Sequence, residues 1–288
     1  MTRSQGPTVR RKQLGAELRR LRQDARISME EAAAALDCAR SKVSHIETGR
    51  YGPRKPDLEV LLRLYGALDK LDTLEELRRE GTKRGWWSTY KLPEYLADLV
   101  GLEADAVIES ALELELIPAL LQTEEYARTV HVAGPHMTPS SEVDRRVAAR
   151  MQRQKRLVDA DPLALSVVIS EAALRRTAAQ PSIAVEQLRR LASDAQLSNV
   201  TVQVLPFSAG VHASMSGSFT LLDFAPGVLS RCVYQEYAAG GHLVDDPGVV
   251  QLLNDLYDAL RRQALDADES LALIAEVTQQ AESEEPHA

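Results

Sequence analysis

Cysteine and aromatic residues are scarce in this sequence. Two cysteines, Cys38 and Cys232, exclude a disulfide-stapled scaffold and a zinc ribbon, and they fit a reducing compartment. Aromatics make up only 5% of the 288 residues. With Ala and Leu abundant, that shortage favours helix over a β-sandwich. No apolar run approaches the roughly 18 residues that a membrane span needs. The opening MTRSQGPTVRRKQLG carries charge with no apolar segment behind it, so it does not read as a secretory signal. The G-x-S-x-G elbow of serine hydrolases and the H-E-x-x-H helix of zincins are both missing. These absences lead to the expectation of a soluble cytoplasmic chain that needs no cofactor and no membrane.

Hydrophobic residues at 44% and charged residues at 26% are enough to bury a core, and the length suggests about two domains. The net charge of -8 hides an asymmetry. Residues 1–85 hold 19 Lys and Arg against 13 Asp and Glu, a surplus of six positive charges, and the remainder holds 15 against 29. A basic head on an acidic body points to a polyanion met by the head alone.

Along the head, Leu14, Leu18 and Leu21 form one helical stripe between Val9 and about Gln23, behind a frayed segment 1–8. Ser28 and Glu31 predict a capping box at the start of MEEAAAAL. After a break at Asp37-Cys38 comes a helix over about 39–48, with Val43 and Ile46 inward and Gly49 as its stop. RYGPRKP reads as turn chemistry. Asp57 is expected to cap a fourth helix, and Asp72 or Thr73 to start a fifth that ends near Gly81.

The texture changes after KRGWWSTYKLP. VIESALELELI (107–117) alternates apolar residues with Glu109, Glu113 and Glu115, the pattern of a strand with one polar face. LALSVVIS, VTVQVLP, GSFTLLDF and VLSRCVYQEY predict four further strands, interleaved with helices at about 93–100, 123–133, 139–159, 171–177 and 182–197. A long helix from Asp246-Pro247 and another over 268–279 complete the chain. The fold class expected is a mainly α head of five helices, containing a helix-turn-helix, and a larger α+β body. The domains are residues 1–82, a linker 83–92, a body 93–280 and a disordered acidic tail 281–288. Trp86 and Trp87 are read as core staples between head and body, with a ligand platform as the other reading.

Two short helices joined by a tight turn, with the small Ala33 where they cross, make a helix-turn-helix. MEEAAAALDCARSKVSHIETGRYGPRKPDLEVLLRLYGAL resembles the lambda-repressor-like (Xre-type) helix-turn-helix domain over about 60 residues. The resemblance implies a buried ion pair between Arg22 and Glu47, which acts as a register device. Three positions depart from the family pattern: Arg26 and Asp37 stand where Gly is usual, and Ala39 stands where a Ser or Thr usually caps the recognition helix.

With Val43 and Ile46 buried, helical geometry exposes Arg40, Ser41, Ser44 and His45. Arg40 and Ser41, near the helix start, can reach base edges in the major groove. His45 can donate to a base or a phosphate. Lys42, Ser44 and Arg50 suit the backbone of double-stranded DNA, and Ser28 heads a helix whose N–H groups can hold a phosphate. Lys55 matches a loop position that is basic in some relatives. One such module covers a half-site, so a homodimer on a partly palindromic operator is expected.

In the body, RGWWSTY, ELELIPALLQTEEYARTV, VVISEAALRR and VTVQVLPFSAGVHASMSGSFTLLDF resemble the C-terminal domain of unknown function of actinobacterial helix-turn-helix regulators. Those regulators are antitoxin-like, which implies a small partner protein. Two alternatives to a transcriptional regulator stay open: a protein-interaction module with DNA binding secondary, and a small-molecule sensor. His212, Ser214 and Asp223 form a candidate catalytic set, and His242, Asp245 and Asp246 a candidate metal cluster. Neither fits a signature, and the expectation is a chain that is not an enzyme.

Overall fold

The computed structural model describes residues 5–134, 139–215 and 217–284. The chain forms two compact units. The first comprises Met1–Thr89 with Val100–Asp105 and Ala225–Leu229, and the second Tyr90–Leu99, Ala106–Phe224 and Ser230–Ala288.

The first unit holds five helices: α1 (Pro7–Asp24), α2 (Met29–Ala35), α3 (Arg40–Glu47), α4 (Lys55–Leu64) and α5 (Leu71–Gly81). Leu14, Leu18, Leu21, Ala32, Val43, Ile46, Leu58, Leu61 and Leu62 meet in one core, as the helical periodicity predicts. Three local expectations are corrected. Residues 5–8 do not fray: α1 starts at Pro7, Thr8 is buried, and the Gly6 N–H donates to Asp105 at 2.6 Å. Residues 1–4 lie outside the described residues. Asp57 does not cap α4, which begins two residues earlier with Pro56 in its first turn, where a missing N–H costs nothing. The expected linker is not plain either: Trp86–Tyr90 form a 3-10 turn, and Trp87 is buried against Thr8 and Gly101. A side chain at Gly101 would collide with both.

The second unit is built on a six-stranded sheet ordered β3-β2-β1-β4-β5-β6. Its strands are β1 (Ile108–Glu113), β2 (Ala164–Ser170), β3 (Val200–Leu205), β4 (Phe219–Asp223), β5 (Cys232–Tyr237) and β6 (Gly240–Val244). The first three are mutually parallel, and β4, β5 and β6 continue antiparallel from β1. Helix α6 (Glu94–Glu103) precedes β1, α7 (Glu124–Val132) and α8 (Ser140–Gln154) link β1 to β2, and α9 (Glu171–Ala178) and α10 (Pro181–Asp194) link β2 to β3. Connections of this length are what parallel neighbours require. Helix α11 (Pro247–Gln263), capped by Asp246, packs Val250, Tyr257 and Leu260 on Leu112, Val168, Leu221 and Val233.

One strand, β6, was not expected. Helix α12 (Ala267–Glu284) runs past the expected start of the disordered tail: 281–284 are helical, with Ala281 buried below Ile274 and Val277, and 285–288 lie outside the described residues. Its Ser270 hydroxyl accepts the Val204 N–H at 2.9 Å, satisfying a donor on edge strand β3. The glutamate face of β1 is also not a solvent face. Glu109 is buried and Glu113 half-buried, because alternation marks two faces without saying which is covered.

Candidate nucleic-acid interface

Helices α2 and α3 form the helix-turn-helix. The capping box is complete: Ser28 accepts the Glu31 N–H at 3.1 Å, and Glu31 accepts the Ser28 N–H at 2.8 Å. In the turn, the N–H groups of Asp37 and Cys38 return to Ala34 and Ala33. Asp37 takes a left-handed φ of 47° and Arg26, before α2, one of 57°. These are the two places where the family pattern favours Gly, and the backbone there demands what Gly supplies. Ala39 stands at the start of α3 with no side-chain cap.

The rest of the unit fixes the far end of α3. Arg22 grips Glu47 through two bonds of 2.6 and 2.9 Å, and its third donor goes to the Ile27 carbonyl at 2.9 Å. Both side chains are buried. The bond to Glu47 holds the Arg22 guanidinium more firmly protonated than usual. Helix α1 crosses the end of α3 at Gly15, where a Cβ would stand 2.5 Å from the Ile46 carbonyl oxygen. Lys12 and Arg11 donate to the carbonyls of Thr48 and Gly49 at 3.0 and 2.6 Å, placing cations at the negative end of the helix. On the other flank, Lys42 reaches the buried Asp57 of α4 at 2.8 Å, and Arg54 holds the same carboxylate. Burial opposes the charge of Asp57, but Arg54 and Lys42 together keep its carboxyl below its usual range.

Of the residues singled out from the sequence, Arg40 and Ser41 are exposed at the start of α3, and Ser44 and His45 are half-buried beside them. Arg40 leans on Glu30 at 3.3 Å, with both side chains about two-thirds exposed. Such a pair is worth at most about 1 kcal/mol, too little to lock it away from a duplex. Arg50 and Lys55 are exposed on the same unit. Two assignments change. Lys42 ties α3 to α4 instead of projecting as a phosphate contact. The Ser28 N–H and hydroxyl are both given to Glu31, whose carboxylate stands where a phosphate would sit. One residue escaped the sequence reading: Tyr51, treated only as part of a turn, is exposed. It packs edge-on against His45 at 5.4 Å and lies under the Arg50 guanidinium.

The candidates in the second unit do not assemble. Asp223 is held bidentately by Arg231 at 2.6 and 2.8 Å, Ser214 donates to the Gly217 carbonyl, and among the described residues no hydrogen bond joins either to His212. Among the described residues no group of three His, Cys, Asp or Glu side chains is placed to hold a metal ion, so His242, Asp245 and Asp246 do not make one.

A family model for a helix-turn-helix domain matches residues 13–77, the five helices whose geometry is given above. A second, for a domain of unknown function (DUF5753), matches residues 96–276, more than half of the chain. The chain belongs to the DUF5753 family. Its helix-turn-helix makes it a DNA-binding regulator in general terms. No curated protein and no solved structure matches the chain. No helix among the described residues is long and apolar enough to cross a membrane.

Proposed function

We propose that this chain is a sequence-specific transcriptional regulator of the cytoplasm that acts without catalysis. Helix α3 lies in the major groove. Arg40 reads a base edge, with a guanine as its natural bidentate partner. Ser41 and His45 contribute beside it, and Arg50, Tyr51 and Lys55 meet the flanking backbone. The second unit pairs two chains, so that two α3 helices meet the half-sites of a partly palindromic operator. The observation that carries this reading is the contrast between the two ends of α3. Its C-terminal end is fixed by Arg11, Lys12, Gly15 and Arg22, and its N-terminal end leaves Arg40 and Ser41 outward.

A gel shift on an operator fragment tests it. Neutralising about six phosphates makes log K fall with log salt at a slope near -5. Specific binding that ignores salt, or no shift at all, contradicts the proposal. Sedimentation of the complex then reports two chains per operator. The acidic surplus beyond residue 85 favours a second role, binding a small basic partner protein as antitoxin-like regulators do. Co-purification of one such protein in fixed stoichiometry, lost in high salt, supports that role.

A further inference from the structure

The sheet of the second unit has one closed edge and one open edge. On β3 the Val204 N–H donates to the Ser270 hydroxyl, the Val204 carbonyl accepts the Leu265 N–H, and the Gln203 side chain donates to the Leu265 carbonyl, each at 2.9 Å. At the other end of the sheet, β6 pairs with β5 alone. Their hairpin turns through Ala238 and Ala239, so Tyr237 and Gly240 form a hydrogen-bonded pair. The alternation of an antiparallel ladder then points the N–H and C=O groups of Gly241 and Leu243 outward. Among the described residues no backbone hydrogen bond from outside the hairpin reaches β6.

Edge strands that must stay single carry a charge, a proline or a bulge. Residues 237–244 read YAAGGHLV, without Lys, Arg, Asp, Glu or Pro. The strand is also complementary to itself. A two-fold axis normal to the sheet at His242 sets a second β6 antiparallel to the first and continues each face of the sheet. Gly240 then opposes Val244 of the partner subunit, and Gly241 opposes Leu243 of the partner subunit. No branched side chain faces another across the seam, and directly opposed side chains decide the stability of such a pair. Further out, Asp245 and Asp246 oppose Ala239 and Ala238 of the partner subunit, so no carboxylate meets a carboxylate. The exposed His242 meets only its own copy. On the face shared with Val244, the first turns of α11 pack through Val250 over β5 and β6. They leave Val249 and Leu252 40% and 66% exposed.

We propose that β6 is the seam at which two copies of this chain join, so that their sheets run on as one across a two-fold axis. Gly241 and Leu243 of each chain exchange backbone hydrogen bonds with Leu243 and Gly241 of the other. Both α11 helices lie on the same face of the joined sheet, one on either side of the seam, with Val249 and Leu252 in their first turns. Tyr237, 57% exposed and tilted against His242 with ring centroids 5.9 Å apart, belongs to the same face. A second copy suits this edge better than a foreign strand, because the sequence itself supplies both halves of each small-against-large pair. The two-fold so formed has the symmetry of a palindromic operator. This inference rests on the pairing of two chains proposed above and names the surface that carries it.

Sedimentation velocity of the full chain over a range of concentrations tests it, beside two variants of the exposed His242. In His242→Lys two ammonium groups oppose each other at the seam. Its dimer dissociation constant should rise at least tenfold, while its circular dichroism spectrum stays that of the wild type. His242→Cys brings two thiols within disulfide reach, since opposed residues of an antiparallel pair lie about 4.5–5.5 Å apart between Cα atoms. Treated with oxidised glutathione, it should run as a covalent dimer on a non-reducing gel. The wild type, with its own Cys38 and Cys232, should not, and neither should Thr201→Cys, an exposed position on β3. The crosslink keeps the test valid if His242→Lys fails to fold. A wild type that stays monomeric overturns the pairing of chains and this seam together. A wild-type dimer that His242→Lys leaves intact, with no crosslink in His242→Cys, overturns the seam alone.

Discussion

Replacing Glu47 by Ala isolates the contact that seats the recognition helix. The carboxylate leaves and the guanidinium of Arg22 stays, buried, with two donors unpaired and only the bond to Ile27 kept. Breaking one side of a buried ion pair costs about 3–5 kcal/mol. A unit of roughly 100 residues is stable by only about 5–15 kcal/mol, so about a fifth or more of that margin disappears. With an m-value near 2 kcal/mol/M, the urea midpoint drops by about 2 M. The two tryptophans of the chain, Trp86 and Trp87, both belong to the first unit, so their fluorescence reports this transition. The double change Arg22→Met with Glu47→Leu removes both charges and should recover most of the loss, because an apolar pair of similar volume replaces a desolvated one. A single-variant loss below about 1 kcal/mol, or a double variant as unstable as the single, would refute the picture of a desolvated pair.

Gly15→Ala should cost about 1–3 kcal/mol by pushing α1 off the Ile46 carbonyl, and it should weaken operator binding in a gel shift beyond what the unfolded fraction explains. Wild-type affinity would show that the crossing has slack. A pH effect belongs to Glu113. Folded, it keeps its proton to about pH 7, whereas an unfolded glutamate loses it near 4.3. The native state then binds more protons between these values, and stability falls as pH rises through the window. His131, held near 3, acts in the opposite direction, so the comparison is between wild type and Glu113→Gln. Urea midpoints followed by far-UV circular dichroism at pH 5 and pH 8 should diverge, with the variant gaining at pH 8. Parallel profiles would count against a desolvated Glu113.

Much of the first unit was legible because its helices carry the 3.6 period and its turns carry caps. Even the departures were informative, since Arg26 and Asp37 mark two left-handed positions. The start of α4 was misread because Pro56 and Asp57 look like a break and a cap. Proline is tolerated in a first helical turn, and Asp57 is used for Lys42 and Arg54 instead. Strand β6 escaped because GGHLV has neither alternation nor β-branched weight. The supports of α3 were hidden for a different reason. Gly15, Lys12 and Asp57 act across long stretches of chain, and a pattern local to one helix cannot show what crosses it.

The outward face of α3 is tested most directly by selecting bound duplexes from a random-sequence DNA pool with the full chain and with Arg40→Ala. The wild type should enrich a partly palindromic motif with a guanine at a fixed place in each half-site. The variant should lose preference at that place, by about 1–3 kcal/mol, and keep the rest. An unenriched pool, or one motif shared unchanged by both proteins, would contradict the assignment of α3 as the reading helix.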